Sequence, residues 1–210
     1  MTGSRQREAS STPRFSLVTR YNPFRSLSAE ADFTVINPAA KPSADVELIP
    51  ARPEQEPILA NLLELYAYDF SEFLDLELGA DGRFGYGTLG LYWSEAGRHP
   101  FLVWAEGKLA GLVLVKQGSE VSGNETVWDV AEFFILRGYR RRGIGTQVAG
   151  EVWKRFPGLW EVRVMESNVA ARDFWAHAIS MFTGEAIKPV PVEKDGKSWA
   201  VFSFESKGAG

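Results

Sequence analysis

Two carboxylates, Asp129 and Glu132, interrupt a run from Val127 to Leu136 that otherwise reads as a buried strand. A charge is costly to bury unless it is partnered, and burial raises a carboxylate's pKa towards neutrality. The two therefore read as candidates for a general base, as salt-bridge partners of the chain's many arginines, or as an exposed strand end. Alternation puts them on opposite faces of the strand unless a bulge intervenes. Next comes Tyr139-Arg140-Arg141-Arg142-Gly143-Ile144-Gly145-Thr146. The two glycines permit a sharp turn, and the four-residue recurrence of Ile144, Val148, Val152 and Phe156 marks one face of a helix after it. The first amides of that helix lack partners and carry the positive end of its dipole. Such a turn either serves packing alone or seats a phosphate or pyrophosphate, to which the three arginines add charge and bidentate donors.

The spacing excludes two familiar phosphate loops. No lysine follows the second glycine, as a Walker loop requires, and Val148 stands where a dinucleotide fingerprint needs its third glycine. Arg140-x-x-Gly143-x-Gly145 at a strand end instead resembles the acyl-CoA signature of the GNAT superfamily of N-acetyltransferases. A second segment agrees. Glu161 to Val164 reads as the next strand, and the following helix opens on Asn168-Val169-Ala170-Ala171-Arg172-Asp173-Phe174-Trp175. This resembles the family pattern Asn-x-x-Ala-x-x-x-Tyr, with Trp175 in place of the tyrosine. The resemblance covers roughly residues 45–205.

The resemblance implies acetyl-CoA as co-substrate and no metal. It implies cofactor contacts from Phe134, Ile135 and Leu136 on the strand, from Arg140, Arg141, Arg142, Gly143, Ile144, Gly145 and Thr146 in the turn, and from Asn168 and Trp175. A main-chain N–H near Phe134 or Ile135 is the family's usual donor to the thioester oxygen. Glu132 is favoured over Asp129 as the base because it lies closer to the signature. Asn168 also reads as a helix N-cap, and Trp175 as core packing. An indole does not release a proton usefully, so the acid for the leaving thiolate falls to water, to His177 or to no group. The acceptor is expected between Asp75 and Pro100, where Phe84, Tyr86, Tyr92 and Trp93 stand among glycines with His99. Asp69, Glu72, Asp75, Glu77 and Asp81 lie there or just before. Aromatics with carboxylates suit a cationic amine, although a solvated acidic helix end reads the same way. Phe84, Tyr86 and Trp93 are the chosen contacts.

The expected function is N-acetyl transfer to the primary amine of a small molecule. The alternatives are an acyl-CoA-binding module with little turnover, suggested by Trp175, and an acyltransferase for a peptide or protein amine. With a formal charge of −4 the chain does not read as a general nucleic-acid binder, and no apolar run spans a membrane. It has no cysteine and only two histidines, which leaves no thiolate chemistry and little scope for a metal site. A cytoplasmic location is expected, and a homodimer is left open.

The positioning elements follow from pattern. Residues 1–44 are rich in Arg, Ser, Thr and Pro and poor in acids; they read as a disordered or loosely docked extension or as an organelle transit segment, with a short strand at Phe33 to Ile36. Residues 45–206 read as one domain: a strand at Val46 to Ile49, then a helix with Ile58, Leu62, Leu65, Tyr66 and Phe73 at helical spacing. A hairpin from Phe101 to Val115 turns at Glu106-Gly107-Lys108 and precedes the signature unit. A strand at 160–165, a helix at 169–182 and a last hairpin through Asp195-Gly196 complete it. This predicts a mixed α/β fold, with a largely antiparallel central sheet and helices on both faces.

Overall fold

The computed structural model describes residues 45–207. The expected extension over 1–44 and its strand at Phe33 to Ile36 lie outside the described residues. The elements, in chain order, are β1 (Val46–Pro50), α1 (Glu56–Phe70), α2 (Leu91–Ser94), β2 (Arg98–Ala105), β3 (Lys108–Gln117), β4 (Trp128–Ile135), α3 (Ile144–Arg155), β5 (Gly158–Met165), α4 (Val169–Thr183), β6 (Val190–Lys194) and β7 (Lys197–Ser206). The strands form one sheet in the order β1-β2-β3-β4-β5-β7-β6. Only β4 and β5 run parallel, as a strand–helix–strand crossover through α3 requires. The fold is the mixed α/β arrangement expected from the pattern.

Both faces of the sheet are covered. Phe101, Val103, Val113, Val115 and Val130 point to the face where α3 and α4 bring Val148, Trp153, Trp175 and Ile179. Leu102, Leu112, Leu114 and Phe134 point to the other face, against Leu59, Leu62 and Leu63 of α1 and Tyr92 of α2. Strands buried on both sides lose polar alternation, so β3 reads as a nearly continuous apolar run. Its hairpin with β2 closes on Glu106 and Gly107, both at positive φ (54° and 70°), the geometry of a tight two-residue turn.

α1 departs from the expected pattern. Its core face is Leu59, Leu62 and Leu63, while Ile58 and Leu65 are exposed at 37% and 51%. The expected stripe combined two faces, because this helix is apolar over much of its circumference and periodicity discriminates poorly there. Phe73 lies beyond the helix, in contact with Phe70. The one-turn α2 carries no periodic pattern and had no sequence signal.

Candidate active site

β4 carries a bulge at its centre. Glu132 pairs with Leu114 of β3, but Val115 pairs with Val130, so Ala131 is an extra residue on β4. Asp129 pairs with Lys116, two positions from Leu114, which puts Asp129 and Glu132 on one face of the sheet. That is the α1 face. The expectation of opposite faces therefore fails, for the reason allowed in advance.

The two carboxylates have different surroundings. Asp129 is 2% exposed and paired with Arg163 of β5, with Lys116 Nζ at 4.0 Å. Burial pushes its pKa up, and the charges of Arg163 and Lys116 pull against that. Lys116 also pairs with Glu120, so Asp129 belongs to a four-membered ion network. Glu132 has no ion pair among the described residues. Its Oε1 accepts a hydrogen bond from the Tyr86 hydroxyl at 3.0 Å, and Tyr66 of α1 also bonds to it. Burial raises the Glu132 pKa above the ordinary carboxylate range; the two tyrosines and Arg163 oppose the shift, and Asp129 adds to it. The same burial, with the Glu132 charge, pushes the Tyr66 and Tyr86 hydroxyls up and Tyr92 to about 12.

Glu132 lines a cavity of about 260 Å³ between α1 and the segment that follows it, together with Phe84 and Tyr86. A second carboxylate positions that segment. Glu64 of α1 accepts from the amides of Phe84 (2.8 Å) and Gly85 (3.0 Å) and from Arg83 Nε (3.3 Å). These three donors pin the loop to α1 and hold Tyr86 over Glu132. Of the three expected acceptor contacts, Phe84 and Tyr86 are brought together. Trp93 is not: it packs in the α1-side core, its indole donating to the Ala51 carbonyl at 2.9 Å. His99 lies on the far side of the sheet, stacked 4.6 Å from Phe156, where burial lowers its pKa. His177 is exposed on α4. Glu64 and Arg163 carry no functional signal in the sequence, and Tyr66 reads there only as part of the helix's apolar stripe. Each is one polar residue among several in its element, Glu64 and Tyr66 on α1 and Arg163 beside Glu161 on β5, and only the bulge shows which face matters.

The parallel pair parts early. β4 and β5 are joined only at Trp128–Trp160 and Asp129–Glu161, so the half of β4 from Glu132 onward has no β5 partner. The Leu136 amide bonds to Ala110 on the β3 side. Alternation then directs the Phe134 amide to β3 as well, and the Phe133 and Ile135 amides into the gap. Ile135, rather than Phe134, is thus the free main-chain donor of the expected pair.

Beyond the gap lies the signature turn. Gly143 is the N-cap of α3 at φ 79°, with open space where a Cβ would sit. The first helix-type bond runs from the Gln147 amide to the Gly143 carbonyl, which leaves the amides of Ile144, Gly145 and Thr146 ahead of it. Gly145 is small for a different reason: a Cβ there would lie 3.0 Å from Phe174. The arginines do not act together as expected. Arg140 donates to the Ile135 carbonyl at 2.7 Å and pairs with Asp69, which also takes Arg137. Arg142 pairs with Glu106 and stacks over Tyr139. Arg141, at φ 58°, has no ion-pair partner among the described residues. A turn between two carboxylate-bearing elements satisfies its cations locally.

Asn168 caps α4, its Oδ1 accepting from the Ala171 amide at 3.0 Å, which leaves its side-chain amide available as a donor. Trp175 is 6% exposed and seated among Phe133 (4.9 Å), Phe174 (4.9 Å) and Trp153 (6.1 Å). It is a packing residue. Among the described residues no cluster of three or more His, Asp or Glu side chains is placed to hold a metal ion, and no helix is long and apolar enough to cross a membrane.

A sheet whose central parallel strands part beside a glycine-turn helix defines the class of N-acetyltransferase-like α/β proteins. The chain belongs to the Acetyltransferase (GNAT) family of transferases, whose model matches residues 60–179, more than half of its length. Among solved structures it is similar to an acetyltransferase from Thermus thermophilus (17% identity, 76% of this chain and 96% of that one covered, TM-score 0.54). It is also similar to yncA from Salmonella typhimurium, solved with its cofactor acetyl-CoA (9%, 78% and 95%, 0.53). A third likeness is to Arabidopsis thaliana NAA60 in complex with a bisubstrate analogue (16%, 78% and 99%, 0.52). At these identities the structures show a shared fold. No curated protein matches the chain.

Proposed function

We propose that this chain is an acetyl-CoA-dependent N-acetyltransferase acting on the primary amine of a small molecule, with Glu132 as its general base. The observation that carries this is the position of Glu132: a half-buried carboxylate with a raised pKa, at a cavity and just past the point where β4 and β5 part. A carboxylate raised above its ordinary range holds a proton more readily and is the better base towards an amine.

The chain's own groups fit acetyl-CoA. The gap between β4 and β5 suits the narrow pantetheine arm, and the turn at Gly143 presents helix amides with open space beside them. Of the three arginines in the turn, Arg141 is the one without an ion pair among the described residues and so can reach phosphate oxygens. The Asn168 side-chain amide is placed to donate to the arm. Bound acetyl-CoA supplies a thioester whose carbonyl carbon takes the amine nitrogen and whose thiolate leaves. Glu132 accepts the proton that the nitrogen sheds, the Ile135 amide donates to the carbonyl oxygen as charge builds on it, and Tyr86 holds the Glu132 carboxylate in place. Trp175 offers no acid at the usual tyrosine position, and a thiolate with a parent thiol pKa of ~8.5 leaves tolerably without one.

The enclosure of Trp175 also favours the alternative of an acyl-CoA-binding module with little turnover. Thiol release from acetyl-CoA by the full chain, measured across a panel of amines, separates the two. Acetylated product identified by mass spectrometry supports transfer; a thermal shift with acetyl-CoA but no product from any amine supports binding alone. A cytoplasmic location is part of the same proposal and is tested by fractionating cells that express the full chain.

A further inference from the structure

We infer that the acceptor is a small, apolar primary amine, an arylalkyl or alkyl amine with a single charge, whose nitrogen sits at Glu132 and whose carbon body fills the cavity along α1. The inference rests on the functional proposal above and adds the substrate class.

Three observations on the cavity carry it. Its size, about 260 Å³, falls just under the ~300–1,000 Å³ usual for drug-sized ligands, so it suits a compact molecule. Its walls are mostly apolar, Leu63 and Phe70 of α1 with Leu74, Leu76 and Phe84 of the segment beyond, and exposed Glu77 is the one charged group among them. Its polar end is Glu132 with the Tyr66 and Tyr86 hydroxyls, one carboxylate and two neutral groups. No lysine or arginine lines it, so an amino acid would leave its own carboxylate unpaired against leucine and phenylalanine. A polyamine would have to lay its further charges along the same wall, and the remaining carboxylate, Glu77, is exposed.

A wider, open groove of about 860 Å³ adjoins the cavity and shares Glu77, Phe84 and Tyr86 with it. This is where a peptide acceptor would lie. Glu64 lines that groove too, but its carboxylate is already committed to Arg83 and two loop amides. Its other carboxylates, Glu56, Glu77 and Asp81, are exposed and solvated, whereas the cavity brings apolar walls up to Glu132, so the cavity is the better-built half for a compact amine.

The test uses the full chain with phenethylamine, hexylamine, spermidine, glycine and an alanine-rich peptide with a free N-terminus. Each is assayed for product by mass spectrometry and for direct binding by calorimetry in the presence of CoA. Phenethylamine and hexylamine should bind, and should be acetylated with kcat/KM at least ~10-fold above the other three, the scale on which apolar pockets discriminate. Leu76→Lys, on the segment beyond α1 and outside every helix and strand, should weaken phenethylamine binding at least ~10-fold by setting a cation in the pocket, with the acetyl-CoA thermal shift unchanged. Leu74→Ser, a second loop variant, should weaken it in the same direction. A preference for spermidine, glycine or the peptide overturns the inference and leaves acetyl transfer standing. Amine binding lost in Leu76→Lys, with no product from any amine, keeps the inference and removes the transferase proposal. Failure of both apolar amines to bind or react overturns the inference.

Discussion

Asp129 and Glu132 stand on the same face of β4, three residues apart, because Ala131 bulges out of the ladder with β3. The consequence is a division of roles between two similar groups. Arg163 and Lys116 hold Asp129 as part of a buried ion network, and Glu132 is left with two tyrosines and a cavity. The network also ties β5 to β4 near the last rung they share, where a strand pair about to separate most needs a fastening.

Asp129→Asn should therefore act on stability first. Removing one partner of a buried pair leaves the other charge uncompensated, a cost of about 3–5 kcal/mol. Glu120, 4.0 Å from Arg163, should bring the loss to the lower end of that range. Urea denaturation of parent and variant measures it; a loss well under ~1 kcal/mol would show that Arg163 finds another partner.

Tyr86→Phe should move the pH dependence of turnover. The Tyr86 hydroxyl bonds to the charged form of Glu132 and so lowers its pKa against the effect of burial. Without it the Glu132 pKa rises further, and the rate, which needs the deprotonated carboxylate, should begin to fall at a higher pH as the solution is acidified. A pH–rate profile of the two proteins displays the shift; an unmoved limb would mean that Tyr86 does not bear on the titrating group.

The two signature glycines should fail in different ways. Gly143→Val meets open space but must take up φ 79°, a strain of ~1–3 kcal/mol, and should leave a folded protein whose thermal shift with acetyl-CoA is lost. Gly145→Val pushes into Phe174 and should lower the melting temperature itself. Thermal melts of both variants with and without acetyl-CoA separate these effects. A normal acetyl-CoA shift in Gly143→Val would remove the turn from the binding site.

Asp69 joins the end of α1 to Arg137 and Arg140, just ahead of the signature turn. Partial burial raises its pKa, and the two guanidiniums more than offset this, so the folded value lies below 3.8. A depressed carboxylate stabilises the fold above its unfolded pKa and loses that contribution as pH falls through the folded one. Asp69→Asn should therefore melt slightly lower than the parent at neutral pH, by no more than about 1 kcal/mol for pairs this exposed, and the two should converge in strong acid. Melting curves from neutral pH down into strong acid test it; a constant difference throughout would rule the ion pairs out as its source.

Much of the frame was legible because it rests on local rules. The glycines of the signature turn, the four-residue recurrence behind it and the Asp195-Gly196 turn each specify one conformation within a few residues, and β4, α3, β5 and α4 lie within two residues of where pattern put them. What failed to show was tertiary. Whether Ala131 bulges depends on how β3 pairs with β4, so the shared face of Asp129 and Glu132 was open. Arg140 and Arg142 looked available because nothing local announces that Asp69 and Glu106 lie across from them. Trp93 and Tyr86, seven residues apart in one aromatic loop, have opposite fates, decided by the three bonds with which Glu64 anchors the loop.

The central claim is that Glu132 is the base. The most direct test is the pH profile of kcat/KM for the parent and Glu132→Gln, with an amine found active in the panel. Glu132→Gln keeps the shape and can still take the Tyr86 hydrogen bond, so it should fold and give the parent's thermal shift with acetyl-CoA. Its rate should fall ~100- to 10,000-fold, and the parent's loss of rate on acidification, set by the Glu132 carboxylate, should disappear from the profile. A variant that keeps the parent's rate and its acid limb would contradict the assignment.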